Sequence, residues 1–102
     1  MSAAKTRAET LVKENPVVVF SKSYCPYCNA SKSLLKEQGA KFVALELDLE
    51  KDGSAIQDAL EEITKQRTVP NIFIKQQHIG GNSDLQAIKG KLPTLLKEAG
   101  AL

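Results

Sequence analysis

The amino-acid sequence predicts an α/β fold: a four-stranded mixed sheet flanked by five helices. Three observations lead there. Val17-Val18-Val19-Phe20 is apolar without alternation, which is how a strand covered on both faces reads, so it belongs inside a sheet with helices above and below. A helical stretch separates it from a second strand signal, Phe42 to Leu47, and a strand–helix–strand unit crosses over right-handed, which makes these two strands parallel. Further on, Asn71-Ile72-Phe73-Ile74 and a short strand through Ile79 flank a turn at Gln76-Gln77. They read as a hairpin and add an antiparallel pair.

Taken in order, Ala4, Ala8, Leu11 and Val12 mark one face of an amphipathic first helix, stopped by Asn15-Pro16. After the strand Val17–Phe20, a second helix leaves the segment Cys25-Pro26-Tyr27-Cys28, with Ala30, Leu34 and Leu35 facing inward and Gly39 as a C-terminal cap. Asp52-Gly53-Ser54 caps a third helix, where Ile56, Ala59, Leu60 and Ile63 sit at i, i+3, i+4 and i+7. Beyond the hairpin, Gly80-Gly81-Asn82-Ser83-Asp84 opens a short helix containing Leu85 and Ile88. Gly90 ends it, and Leu92, Leu95, Leu96 and Ala99 form the inward face of the last helix. No internal repeat, low-complexity tract or linker breaks the order, so residues 1–102 read as one domain.

Composition narrows the function. A chain of 102 residues with 42% hydrophobic side chains can bury a core without covalent staples. Its formal charge of +2 is mild and gives no ground for a nucleic-acid or membrane partner. No apolar run approaches a membrane span, and no signal peptide is recognised, so a reducing, cytoplasmic setting is expected. The start, Ser2-Ala3-Ala4-Lys5-Thr6-Arg7, is basic and free of acid like an organelle transit tail, yet it also fits the first helix, which is the favoured reading.

The chemistry gathers at the only two cysteines, Cys25 and Cys28, three positions apart where the first strand empties into a helix. Pro26 suits the first helical position, where a missing N–H costs nothing. Cys25 then faces unpaired backbone donors and the positive end of the helix dipole, both of which favour a thiolate. Cys28 lies on the same helical face and can close a disulfide with it. A staple in a secreted domain would use several pairs closing longer loops. A zinc site needs four ligands, and beyond this pair the chain has one histidine, His78, at no recognisable spacing. Two inert core cysteines would not call for Pro and Tyr between them at a strand-to-helix junction. Redox chemistry is the reading these residues favour, and Cys-x-x-Cys beside a strand–helix–strand unit is a thioredoxin-like signature.

Three motifs together are more specific than the cysteines alone. Cys25-Pro26-Tyr27-Cys28, Thr68-Val69-Pro70 and Gly80-Gly81-Asn82-Ser83-Asp84 resemble, in order and spacing, the active site, the cis-proline loop and the glutathione-binding turn of the dithiol glutaredoxins. The resemblance covers nearly the whole chain and implies a thioredoxin-like fold, a glutathione-dependent disulfide oxidoreductase, glutathione as reductant and no tightly bound cofactor or metal. It also implies roles by position. Cys25 and Cys28 would be catalytic. Lys22 would meet the glycyl carboxylate, assisted by Gln66 or Arg67, and Val69 would pair its backbone with the cysteinyl residue, between Thr68 and a cis Pro70. Gly81, Asn82, Ser83 and Asp84 would hold the γ-glutamyl end, and Tyr27 would wall the thiol pocket. Each has an ordinary alternative: Lys22 and Arg67 as solvated charges, Ser83 and Asp84 as helix caps, Pro70 as a trans turn residue, Tyr27 as packing. His78 is assigned to the hairpin.

The mechanism implied is exchange through a glutathionylated Cys25, by which glutathione mixed disulfides and protein disulfides are reduced. A stabilised thiolate is more populated but intrinsically less nucleophilic, so attack changes little and the gain falls on Cys25 as a leaving group. The chain is expected to act as a monomer on glutathionylated proteins and protein disulfides. Two rivals stand beside this reading. A thioredoxin proper would carry Gly-Pro between the cysteines and a tryptophan, neither of which is present. A glutathione-ligated iron–sulfur module would take one Cys25 from each of two protomers.

Overall fold

The computed structural model describes residues 2–102; Met1, the first residue of the expected domain, lies outside the described residues. Helix α1 (Ala3–Glu14) starts at Ser2, whose hydroxyl accepts the Lys5 N–H at 3.0 Å. It stops at Asn15, which is extended because a residue before proline is driven out of the helical region. Strand β1 (Val17–Ser21) is buried at every position and feeds α2 (Pro26–Glu37). Then come β2 (Val43–Glu46), a 3-10 turn at Leu47–Leu49, and α3 (Gly53–Thr64). The hairpin strands β3 (Asn71–Ile74) and β4 (Gln77–Gly80) lead to α4 (Asn82–Ala87), a second 3-10 turn at Lys89–Lys91, and α5 (Leu92–Glu98).

The sheet order is β2-β1-β3-β4, with β1 and β2 parallel and both β1–β3 and β3–β4 antiparallel. This is the expected fold class. Alternation along β1 divides the core: Val17 and Val19 pack with Leu34, Leu35, Ile72, Leu85, Leu92 and Leu96 under α2, α4 and α5. Val18 and Phe20 pack on the other face with Ala8, Ile56, Leu60 and Phe73 under α1 and α3. Phe20 and Phe73 meet edge-to-face at 5.9 Å, a favoured aromatic geometry.

Some details differ from the sequence reading. Ala30 is exposed, because the buried stripe of α2 runs through Cys28, Ser31, Leu34 and Leu35. Ile63 is exposed as well, since the last turn of α3 borders an open groove beside Val12 and Phe73 instead of a covering helix. Strand β2 is shorter than expected and half-buried, as an edge strand is. The hairpin turn falls one residue earlier, at Lys75 and Gln76, both with positive φ (51° and 65°). That is the backbone of a two-residue primed turn, reached here without the asparagine or glycine that usually signals it. Asp52 sits at the start of α3 but makes no side-chain cap; its carboxylate and that of Glu50 pair with Arg7 of α1, each at 2.6 Å. The basic opening stretch is thus built into the fold, as Lys5 also pairs with Glu62.

Gly39 (φ +74°) ends α2 in a Schellman arrangement, with the Ala40 N–H on Leu35 and the Gly39 N–H on Lys36, each at 3.0 Å. Gly53 is required for a different reason: a Cβ there would run into the Leu47 backbone carbonyl. Gly53→Ala should therefore lower stability by about 3 kcal/mol through overpacking against backbone that cannot give. Urea unfolding should show the midpoint fall at unchanged slope.

Candidate active site

Chain topology brings the three motifs to one end of the sheet. Strand β1 leaves at that end into the cysteine segment. Because β3 is antiparallel to β1, the segment before it, Thr68-Val69-Pro70, arrives at the same end, and the return of β4 brings Gly80 and Gly81 there too. The Val69–Pro70 bond is cis, as the resemblance implied.

Cys25 is the N-cap of α2, with Pro26 in the first turn. Its sulfur accepts the Cys28 N–H at 3.2 Å and lies 3.9 Å from the Val69 carbonyl oxygen. Cys25 is half-buried and Cys28 fully buried, both as free thiols. Burial pushes the Cys28 thiol above its ordinary range, and its hydrogen bond to Cys25 adds to the shift. One sulfur is thus open and supplied with a donor, while its partner is held protonated beneath.

A groove of 470 Å³ lined by Tyr27, Thr68, Val69, Pro70, Gly81, Asn82 and Ser83 adjoins the Cys25 sulfur through Val69. Every one of these is a residue expected from sequence, and the volume suits a small ligand. Tyr27 is largely exposed, so it stands as a wall and not as core packing. Lys22 is half-buried at the end of β1, where its carbonyl accepts the Cys25 N–H at 3.1 Å. At the other rim, Asp84 is exposed and its Oδ2 accepts the Gly81 N–H at 2.8 Å. A Cβ at Gly80, whose φ is +118°, would collide with that carboxylate.

The expected assistants of Lys22 are placed differently. Gln66, read as a direct carboxylate contact, commits its amide nitrogen to the carbonyls of Thr68 (3.1 Å) and Pro70 (3.0 Å). With both N–H groups used, it braces the loop from behind and has no donor left for an anion. Arg67 faces α3, paired with Asp58 and, at 3.8 Å, with Glu61. These are exposed ion pairs of small net worth, so the guanidinium can leave them for a stronger partner.

Sequence reasoning missed a second layer. Gln57 on α3 donates to the Arg67 carbonyl at 2.8 Å. The Ser23 N–H and hydroxyl both reach the Asp48 carboxylate, the N–H at 2.9 Å, and these bonds hold Asp48 below the usual carboxylate range. Asn71 is buried, and its Oδ1 takes the His78 Nε2–H at 2.8 Å. Burial lowers the His78 pKa, and Asp84 offsets part of that. Ser31, also fully buried, donates to Asn82 Oδ1 at 2.8 Å. Only a polar residue on an inward helical face, as at Ser31, could have flagged this layer; Gln57 and Asp48 look like ordinary surface positions.

An open sulfur capping a helix, a buried second thiol behind it and a peptide-sized groove on a thioredoxin-like sheet define the class of dithiol thiol–disulfide oxidoreductases. Comparison with known proteins narrows that class. The glutaredoxin family model matches residues 17–79. A glutaredoxin of Solanum lycopersicum is 58% identical over all of this chain and 94% of its own length. Glutaredoxin-C2 of Arabidopsis thaliana is 56% identical over 97% of this chain and 91% of its own. The crystal structure of a buckwheat glutaredoxin–glutathione complex superposes with a TM-score of 0.95 at 50% identity, covering 97% of this chain and 92% of that one. The chain belongs to the glutaredoxin family. It is a dithiol glutaredoxin, a glutathione-dependent disulfide oxidoreductase with glutathione as co-substrate.

The unequal thiols set an alkylation order. At neutral pH iodoacetamide should label Cys25 alone, because the Cys25 sulfur is partly open and accepts the Cys28 N–H, whereas Cys28 is a buried thiol. The sign follows from the upward shift of Cys28: its labelling should begin only as pH rises above the ordinary thiol range, as peptide mass spectrometry of a pH series would record.

Proposed function

We propose that this glutaredoxin removes glutathione from glutathionylated proteins and reduces protein disulfides through a Cys25–glutathione intermediate, as one domain over residues 1–102. The observation that carries the reading is the position of the Cys25 sulfur. It lies 3.9 Å from the Val69 carbonyl, which lines the groove, with the Cys28 N–H directed at it.

The Cys25 thiolate attacks the glutathione sulfur of a mixed disulfide. The old S–S bond breaks, the target leaves as a thiolate, and Cys25–S–SG remains. A second glutathione thiolate attacks the bound glutathione sulfur, oxidised glutathione departs, and Cys25 returns as thiolate. The donor that stabilises Cys25 matters most here, because it improves the leaving group. For a protein disulfide, Cys25 attacks one sulfur, the other target sulfur leaves as a thiolate, and Cys25 stays joined to the target. Cys28 then gives up its proton and attacks Cys25, the second target thiolate departs, and two glutathiones reduce the Cys25–Cys28 disulfide that closes.

In this reading the tripeptide lies along the groove. Val69 pairs with its cysteinyl backbone as strands pair. Lys22, joined by Arg67 when it leaves Asp58, takes the glycyl carboxylate. The backbone N–H groups of Asn82, Ser83 and Asp84 take the γ-glutamyl carboxylate, and Asp84 Oδ1 remains for the amine. Thr68, Pro70, Gly81 and Tyr27 shape the walls, while Gln66 keeps the loop in place. The setting proposed is the cytoplasm, where glutathione keeps thiols reduced. The protein is taken to act as a monomer, with no nucleic-acid or membrane partner.

Assays on a glutathionylated peptide separate the two sulfurs. Cys25→Ser should abolish turnover, whereas Cys28→Ser should keep removing glutathione and lose only the reduction of protein disulfides. Loss of both activities in a folded Cys28→Ser protein would refute the one-sulfur route. A brown protein with visible absorption after anaerobic reconstitution would favour the iron–sulfur alternative.

A further inference from the structure

Ser21 is a fully buried hydroxyl at the end of a strand whose other side chains are apolar. The parallel register puts it beside Glu46 of β2, and its hydroxyl donates to Glu46 Oε1 at 2.8 Å. The other carboxylate oxygen, Oε2, takes the Lys32 ammonium at 3.0 Å. Lys32 stands one turn past Cys28 on the same face of α2, so the thiol and the ion pair meet the same strand end. There the Ser21 hydroxyl reaches the Cys28 sulfur too, as does the Lys22 backbone N–H. A buried thiol is thus joined through one hydroxyl to a carboxylate whose side chain is 22% exposed and in reach of water.

A serine hydroxyl has one proton and two lone pairs. Its proton goes to Glu46, since the other acceptor, the Lys22 carbonyl, is farther off at 3.4 Å. A lone pair is what remains for Cys28, and the thiol proton is directed at it. We infer that Ser21 and Glu46 form a relay that takes the proton of Cys28 as this sulfur attacks Cys25. The Cys28 proton moves to the Ser21 oxygen while the Ser21 proton moves to Glu46 Oε1. The Cys25–Cys28 bond forms, the bond from Cys25 to the target breaks, and the target leaves as a thiolate. Glu46 then passes the proton to water. In the return step a glutathione thiolate attacks Cys25, Cys28 leaves, and the chain hands a proton back to it. The inference rests on the two-cysteine route proposed above. Cys25, the other titratable group facing Cys28, is tied up in the mixed disulfide at that moment and accepts no proton. Lys32 is the charge paired with Glu46, and Asp48 in the following turn is bonded to Ser23.

The test mixes reduced protein with a saturating cyclic peptide disulfide, quenches in acid, and follows by mass spectrometry the decay of the mixed disulfide into the Cys25–Cys28 disulfide. With a built-in acceptor, the wild-type closure rate should be nearly level between about pH 6 and pH 8. Glu46→Gln keeps the shape of the side chain and should slow closure about a hundredfold at pH 7, the lower end of what a general base contributes. Its rate should then climb about tenfold per pH unit, because closure must wait for a thiol with a raised pKa to ionise unaided, and should meet the wild-type curve once it does. Ser21→Ala should show the same slope, and the double variant should add nothing, since both act on one proton path. Lys32→Met breaks the same ion pair but leaves both bonds of the relay, so its profile should stay level. A level profile in Glu46→Gln would overturn the inference. So would a profile in Lys32→Met as steep as that of Glu46→Gln, which would reduce the cluster to a structural ion pair. A wild type that never closed the disulfide would remove the two-cysteine route itself, and the relay with it.

Discussion

The constraint on which this structure depends is that β1 is buried along its whole length and must empty at one end of the sheet. A strand with apolar side chains on both faces is stable only between two layers of helix. Its neighbours then have little choice: β2 pairs parallel through the α2 crossover, and β3 fills the other side antiparallel. The cysteine segment begins where this pressure ends, at the first positions no longer enclosed. Reactive chemistry is carried by a loop and a helix start, and rigidity is carried by the strand behind them.

At that edge the two sulfurs differ by environment and not by residue type. Cys25 caps a helix, is partly open and accepts a backbone N–H; Cys28 is sealed under the helix it begins. In the proposed mechanism the same short segment therefore supplies a nucleophile and a protonated reserve. The N–H that Cys25 accepts tells mainly when Cys25 departs, because a bond that stabilises a thiolate also makes it a weaker nucleophile.

Around the sulfurs, polar residues divide into those that face the groove and those that hold its walls. Gln66 and Gln57 brace the loop that carries Val69, Asp48 fixes the turn before Cys25, and Asn71 with His78 ties the hairpin base. Ser31 links α2 to Asn82. Each bond is modest by itself, yet under the proposed function the groove selects one tripeptide over a generic thiol, and such selection needs preorganised donors. None of the side-chain nitrogen or oxygen atoms buried among the described residues lacks a hydrogen-bond partner, which fits such a built site.

The sequence by itself determined the layered α/β architecture, the dithiol at a helix mouth and the three segments that meet in the groove. It could do so because buried strands, helical periodicity and turn chemistry are local signals, readable from Val17–Phe20 and Cys25–Cys28, while Thr68–Pro70 and Gly80–Asp84 were assigned to the site by their resemblance to the glutaredoxins. It did not determine which inward positions α2 would use: Ala30 was expected inside and is exposed, while Ser31 is inside. Nor did it show that Gln66 turns its amide inward or that the Arg67 guanidinium pairs with Asp58 and Glu61 of α3. Those outcomes depend on how each helix is rotated against the sheet and on which carbonyls long-range strand pairing leaves open, and only the tertiary structure decides them.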